Sequence, residues 1–128
     1  MPMDTTDKLE DLRDELTILY FMLKCNPVLV EIKLRSICEY IASKIDDDKD
    51  LSPRFILSYL KYIDPVESVF YKALENMAEK PKEEALDLLR QALKIGISDG
   101  GLNYSERLYL SEIVQAYREK DINIDIEF

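Results

Sequence analysis

The sequence predicts an all-α fold, a compact bundle of six to seven helices, and three observations support this. Apolar residues recur three and four positions apart over nearly the whole chain, which is the helical period. Glycine is scarce, and the few prolines stand where one helix would end and the next begin. Two acidic turns, about 51 residues apart, each lie between two helical segments. We therefore expect two pseudo-repeated helix–acidic loop–helix units.

The first predicted helix runs from about Thr5 to Lys24, and the second follows Asn26-Pro27 and ends near Ile45. Asparagine caps helix starts well, and proline is tolerated in the first helical turn. Both segments carry one apolar stripe, which would face the core. The stripes comprise Leu9, Leu12, Leu16, Leu19 and Leu23 in the first helix, and Val30, Leu34, Ile37, Cys38, Ile41 and Ile45 in the second.

The third predicted helix starts at Ser52-Pro53, which repeats the cap-plus-proline signal. Asp64-Pro65 gives the same signal for a fourth helix. That helix has the most regular stripe in the chain, and we expect the whole stripe to face inward. It consists of Val66, Val69, Phe70, Ala73, Leu74 and Met77.

Pro81 starts the fifth predicted helix, which carries Gly96 near its end. A glycine inside a helix costs roughly 1 kcal/mol relative to alanine. Gly96 either allows a close helix contact or belongs to a fraying end. Asn103 caps the sixth helix, with Glu106 three residues on, in the spacing of a capping box.

The C-terminal residues alternate polar and apolar side chains, which is the period of a strand. We therefore predict a helical domain over 1–120 and an extended tail over 121–128. A lone strand in an all-helical domain either lies along a helix groove, pairs with another chain or is disordered. We favour the groove.

Composition excludes several classes of function. The net charge of −9 argues against a nucleic-acid surface, which needs clustered Lys and Arg. The absence of histidine removes Ser-His-Asp triads, Cys-His pairs and His-ligated zinc. Cys25 and Cys38 match no zinc or redox spacing and suit a reducing compartment, so we expect a cytoplasmic protein. The longest nearly uncharged stretch, Leu16 to Leu23, is too short to span a bilayer.

Each acidic turn is a candidate cation site, although neither fits an EF-hand. Counted from Asp46, the third and fifth positions carry the expected Asp48 and Asp50. The sixth and twelfth positions, where an EF-hand needs glycine and glutamate, are leucines. Counted from Asp99, the twelfth position is Leu110. A different oxygen-ligand site remains open, in which Asp99 and Glu106 converge on Ca²⁺ or Mg²⁺. The alternative is structural, with Asp99 bonding its own turn and Glu106 completing the capping box.

The stretch from Ala92 to Glu106, followed by Leu110 and Ile113, resembles the signature of TerB-like domains, the tellurite-resistance superfamily. The shared pattern is a helix ending in a small residue and Asp-Gly, an apolar residue two positions on, and a glutamate opening the next helix. The earlier corner resembles a first copy of this pattern. The resemblance in sequence covers about a third of the chain. The rest of the chain resembles the family only in architecture.

This resemblance implies a non-enzymatic, all-α domain of about seven helices with acidic loops that bind divalent cations. It also implies a role in bacterial stress response or phage defence, near the membrane and through partner proteins. Asp99 and Glu106 match its motif in the second corner. In the first, Asp47 or Asp48 fills the aspartate position, but no glycine follows.

Three functions follow from these observations. The first is a cytoplasmic, non-enzymatic TerB-like interaction module, tuned by a divalent cation. The second is a purely protein-binding acidic adaptor or immunity protein without metal, in which acidity steers a basic partner and the isoleucine-rich tail adds a strand to it. The third, an enzyme using carboxylates and magnesium, is the least favoured because no paired helical carboxylate motif is present.

Overall fold

The computed structural model describes residues 5–26, 30–45, 51–97 and 101–124. Within these ranges the chain forms seven helices and no β-strand, which confirms the predicted all-α bundle. No helix in these ranges is long and apolar enough to cross a membrane. In chain order the helices are α1 (Thr5–Asp11), α2 (Arg13–Lys24), α3 (Val30–Ile45), α4 (Pro53–Ile63), α5 (Glu67–Ala78), α6 (Lys82–Gly96) and α7 (Tyr104–Glu119).

The central helix of the bundle is α2, which contacts all the other six. Its sequence explains the position, because the stretch from Leu16 to Leu23 carries no charge and is apolar on every side. The most extensive contacts of α2 are with α5 and α6. The fully buried core around it includes Leu16, Ile18, Leu19, Met22, Ile37, Ile41, Ile56, Leu60, Phe70, Leu88, Ile95, Leu110, Ile113 and Tyr117.

The single first helix predicted over Thr5 to Lys24 is wrong in one respect, since the structure divides it at Leu12. The backbone there leaves the helical region, with φ −109° and ψ 22°. The Leu12 amide donates to the Leu9 carbonyl at 3.0 Å, a three-residue spacing that tightens the turn. The apolar stripe therefore continues across a break in the helix that its spacing does not reveal.

The cap at Ser52 has the predicted geometry. The Ser52 hydroxyl accepts a hydrogen bond from the Phe55 amide at 3.1 Å, and Pro53 occupies the first turn.

The predicted start of the fourth helix, at Asp64-Pro65, is misplaced. Asp64 ends α4 in a left-handed conformation, with φ 36°, and α5 begins only at Glu67.

Two members of the predicted inward stripe of α5 lie outside the core. Val66 is 60% exposed and Val69 is 39% exposed, whereas Phe70, Ala73, Leu74 and Met77 are buried. The expectation for the two valines is wrong because helical spacing identifies an apolar face but does not establish how much of it a neighbour covers.

Gly96 lies at a close helix contact, which decides between the two alternatives for this glycine. A Cβ atom built there would lie 2.7 Å from Leu102 Cδ2 and 3.3 Å from Met22 Cε. Gly96 is itself buried. The missing side chain thus lets the segment leading into α7 approach α6.

The first half of the tail packs on the core without forming a helix. Ile122 and Ile124 are 7% and 9% exposed. The Ile122 amide donates to the Tyr117 carbonyl at 3.0 Å, and Arg118 donates to the Ile124 carbonyl at 2.8 Å. These two isoleucines are therefore unavailable for pairing with a partner strand, and the rest of the tail, 125–128, lies outside the described residues.

The helix pairs α3–α4 and α6–α7 flank the two predicted acidic corners. The corners themselves, residues 46–50 and 98–100, lie outside the described residues.

Candidate functional site

The start of α7 carries the predicted capping box. The Asn103 side-chain oxygen accepts from the Glu106 amide at 2.8 Å, and the Glu106 Oε1 atom accepts from the Asn103 amide at 2.9 Å. Each bond satisfies an amide that the helix itself cannot pair. This part of the site is local in sequence, which is why its spacing predicts it.

The second oxygen of Glu106 accepts a hydrogen bond from Lys33 of α3, with Oε2 to Nζ at 3.1 Å. Both side chains are completely buried. Removing two charges from water is costly, so such a pair is stable only when its geometry is good and its remaining polar atoms are bonded. The two oxygens of Glu106 both meet this condition, one through Lys33 and one through Asn103.

The same asparagine also connects α7 to the end of α2. Its side-chain nitrogen donates to the Cys25 carbonyl at 2.9 Å. Lys33, Glu106, Asn103 and Cys25 therefore form one polar network that joins α2, α3 and α7. Burial and, second, the negative charge of Glu106 raise the pKa of the Cys25 thiol to about 11, so this thiol is not a nucleophile at neutral pH.

Of the four predicted cation ligands, only Glu106 belongs to the described residues. Asp47, Asp48 and Asp99 lie outside them. Within the described ranges no three acidic or cysteine side chains come together in a way that could hold a metal ion. The cation site thus stays a prediction, and the structure adds that Glu106 already has a cationic partner in Lys33.

A second candidate site is a surface groove between α5 and α7, with a volume of about 160 Å³. We call it the acidic groove. Leu74 and Ala116 line it with apolar surface, and Tyr71, which is 41% exposed, stands at its edge. The remaining lining residues are Glu75, Glu112, Gln115 and Glu119.

The charge of the groove is largely uncompensated. Lys72 lies 3.5 Å from Glu75 within α5, but both side chains are about two-thirds exposed, so that pair adds little. Neither Glu112 nor Glu119 forms an ion pair within the described part of the chain. Three glutamates therefore face one small concave surface, and the described residues provide no strong ion pair to balance them.

The ring of Tyr71, the one aromatic residue that lines this groove, belongs to a small aromatic cluster. Tyr71 meets Phe70 edge-on at 5.4 Å, and Tyr109 of α7 meets the same phenylalanine edge-on at 5.0 Å. Burial first, and then the charges of Glu112 and Glu67, raise the pKa of Tyr71, so its hydroxyl stays protonated at neutral pH. Exposed tyrosines held in one orientation are typical of protein interfaces, because little entropy is lost when they bind.

The sequence contains a weak signal for the buried ion pair but none for the acidic groove. Lys33 falls on the apolar stripe of α3, three residues after Val30 and four before Ile37, where an exposed lysine would not stand. Its partner, 73 residues away, has no local signature. The groove carboxylates are divided between two helices, so no single stretch of sequence displays them together.

No protein-family model, curated protein or solved structure matches this chain. The resemblance to TerB-like domains stays a prediction.

Proposed function

We propose that this chain is a non-enzymatic interaction module that binds a basic, amphipathic segment of a partner protein in the acidic groove. The observation that carries the proposal is the combination of an apolar floor, an exposed tyrosine and three glutamates between α5 and α7. A helix or extended segment with apolar residues on one side and Lys or Arg on the other would complement this surface.

The overall charge of the protein supports the same partner. A net charge of −9 attracts basic proteins from a distance and repels acidic ones, which raises association rates at low salt. At contact, a lysine or arginine of the partner could stack on the exposed ring of Tyr71 and pair with Glu112.

A divalent cation at Asp99 and Glu106, with Asp47 or Asp48 in the first corner, would regulate partner binding by this module. It is not an alternative to partner binding. That idea, together with a role in bacterial stress response or defence, depends on the resemblance to TerB-like domains. Calorimetric titration of the metal-free protein with calcium and magnesium tests it. Heat that Asp99→Ala abolishes supports a cation site, and no heat in the unaltered protein contradicts one.

The groove is tested by the affinity of a fluorescent, amphipathic helical peptide of lysine and leucine, measured by anisotropy at physiological ionic strength. The groove variant combines Glu75→Gln, Glu112→Gln and Glu119→Gln. We expect it to bind at least about tenfold more weakly, which corresponds to about 1.4 kcal/mol. Tyr71→Ala should weaken binding by a similar factor, because an exposed tyrosine that a partner covers contributes strongly to affinity.

The control carries the same change in net charge at exposed positions on α3 and α6, with Glu31→Gln, Glu39→Gln and Glu83→Gln. It should stay within about threefold of the unaltered protein, because distant exposed charges are screened at this salt concentration. Equal losses in the groove and control variants would show non-specific attraction and contradict a groove-bound partner.

A further inference from the structure

A second cavity, of about 200 Å³, is bordered by α2, α3, α5 and α6. It is smaller than the sites of drug-sized ligands, about 300–1,000 Å³, and far larger than a single water needs. Leu12 and Met77 provide its apolar wall. Its polar lining consists of Glu15, Tyr40, Lys44, Lys80 and Glu84.

Glu15 provides the most buried polar side chain in this lining. Glu15 is 4% exposed, and its Oε1 atom is buried without a hydrogen-bond partner among the described residues. The nearest cation is Lys80, whose Nζ lies 3.8 Å from Oε1, beyond hydrogen-bond distance. A buried polar atom without a hydrogen bond costs about 1–3 kcal/mol, and more when charged, so this oxygen is suited to a ligand that donates.

Positive groups stand opposite this carboxylate within the same cavity. The side chains of Lys80 and Lys44 are only 33% and 27% exposed. The Lys44 Nζ atom lies over the ring of Tyr40, 5.3 Å from its centroid. The same atom forms an ion pair with Asp87 Oδ2 at 3.5 Å. With Glu84, the lining holds two carboxylates and two ammonium groups, so neither sign is in excess, and Glu15 and Lys80 lie side by side.

We propose that this cavity binds a small zwitterion, a free α-amino acid. Its ammonium would donate to Glu15 Oε1, and its carboxylate would face Lys80. The two charges of an α-amino acid are held one carbon apart, which suits a protein carboxylate and ammonium separated by 3.8 Å. Glu15 would repel a simple anion, and Lys80 and Lys44 would repel a simple cation. Neither therefore matches the whole lining.

The experiment uses the full chain labelled with ¹³C at the methionine methyl groups. Met77 lines the cavity, whereas Met22 is buried beside Gly96 and serves as an internal control. Glycine, L-alanine and L-serine are added separately at millimolar concentration. We expect at least one of them to shift the Met77 signal saturably and to leave Met22 unchanged. Methylammonium and acetate, the two halves of glycine, should leave both signals unchanged.

Glu15→Gln and Lys80→Met should each weaken the response at least about tenfold, because each removes one half of the charge match. Lys61→Met, at an exposed lysine of α4, should retain it. Lys80→Met changes a partly exposed side chain, so this variant still tests the proposed binding if Glu15→Gln does not fold. No Met77 shift with any amino acid, an equal shift with methylammonium or acetate, or a response that survives at Lys80→Met would overturn the proposal.

Discussion

Replacing Lys33 by methionine removes the positive charge that pairs with the Glu106 carboxylate and keeps a side chain of similar length. The Glu106 Oε2 atom then loses the hydrogen bond it accepts at 3.1 Å, while Oε1 keeps the Asn103 amide. Both members of the pair are fully buried, so water cannot take the place of the lysine. The single variant therefore leaves an uncompensated charge inside the protein.

The expected cost follows from that burial. Removing one partner of a buried ion pair costs about 3–5 kcal/mol, out of a total stability of about 5–15 kcal/mol for an ordinary domain. For a chain of this length the melting temperature should fall by about 10–20 °C. An exposed pair such as Lys72 and Glu75 gives the comparison, because Lys72→Met should change stability by less than about 0.5 kcal/mol.

A second substitution separates the charge from the capping box. Glu106→Gln keeps an oxygen for the Asn103 amide but no longer pairs with Lys33, so alone it should also cost about 3 kcal/mol or more. The double variant, with Lys33→Met and Glu106→Gln, removes both charges and keeps the cap. It should be more stable than either single variant, because replacing both members of a buried pair is often nearly neutral.

Urea unfolding at neutral pH, followed by circular dichroism at 222 nm, gives the four free energies of unfolding. Losses that simply add in the double variant would show that Lys33 and Glu106 do not interact, and the reasoning about the buried network would be refuted. A Lys33→Met protein as stable as the unaltered one would refute it as well.

Three further predictions concern other parts of the fold. Burial raises the pKa of the Cys25 thiol to about 11, so its reaction with iodoacetamide at pH 8 should be far slower than that of an unfolded control peptide. Equal rates would contradict this prediction. Burial raises the pKa of Glu15, so its ionised form destabilises the fold at neutral pH and this cost fades as the carboxyl protonates. The unaltered protein should therefore gain stability relative to Glu15→Gln from pH 7 to pH 4 in urea titrations, and a loss over that range would contradict the predicted sign. Deleting residues 121–128 removes the buried Ile122 and Ile124 and should cost at least about 3 kcal/mol by thermal unfolding, whereas an unchanged melting temperature would place the tail outside the core.

Local patterns predicted the elements whose physics is local. The Ser52-Pro53 start and the capping box of Asn103 and Glu106 depend on atoms within three residues, so their spacing was sufficient. The break at Leu12 was missed because the stripe continues through it. The exposed valines of α5 were misplaced because the neighbours that cover a helix face come from distant parts of the chain.

The candidate sites are tertiary and had no pattern to predict them. Lys33 and Glu15 each fall on an apolar stripe, which indicates an unusual environment but not its partner. Glu112 meets Tyr71 only because α5 and α7 pack together. A charged residue on an apolar stripe thus indicates an unusual environment in the sequence. The atoms that surround this residue are known only from the packing of the helices.

The proposed groove is tested most directly by the location of binding. The ¹⁵N-labelled protein is titrated with the basic amphipathic peptide, and the amide shifts are followed along the chain. We predict the largest changes at residues 71–75 of α5 and 112–119 of α7, with small changes around Glu31, Glu39 and Glu83. Changes concentrated at those distant glutamates, or spread evenly over the acidic surface, would contradict a specific site between α5 and α7.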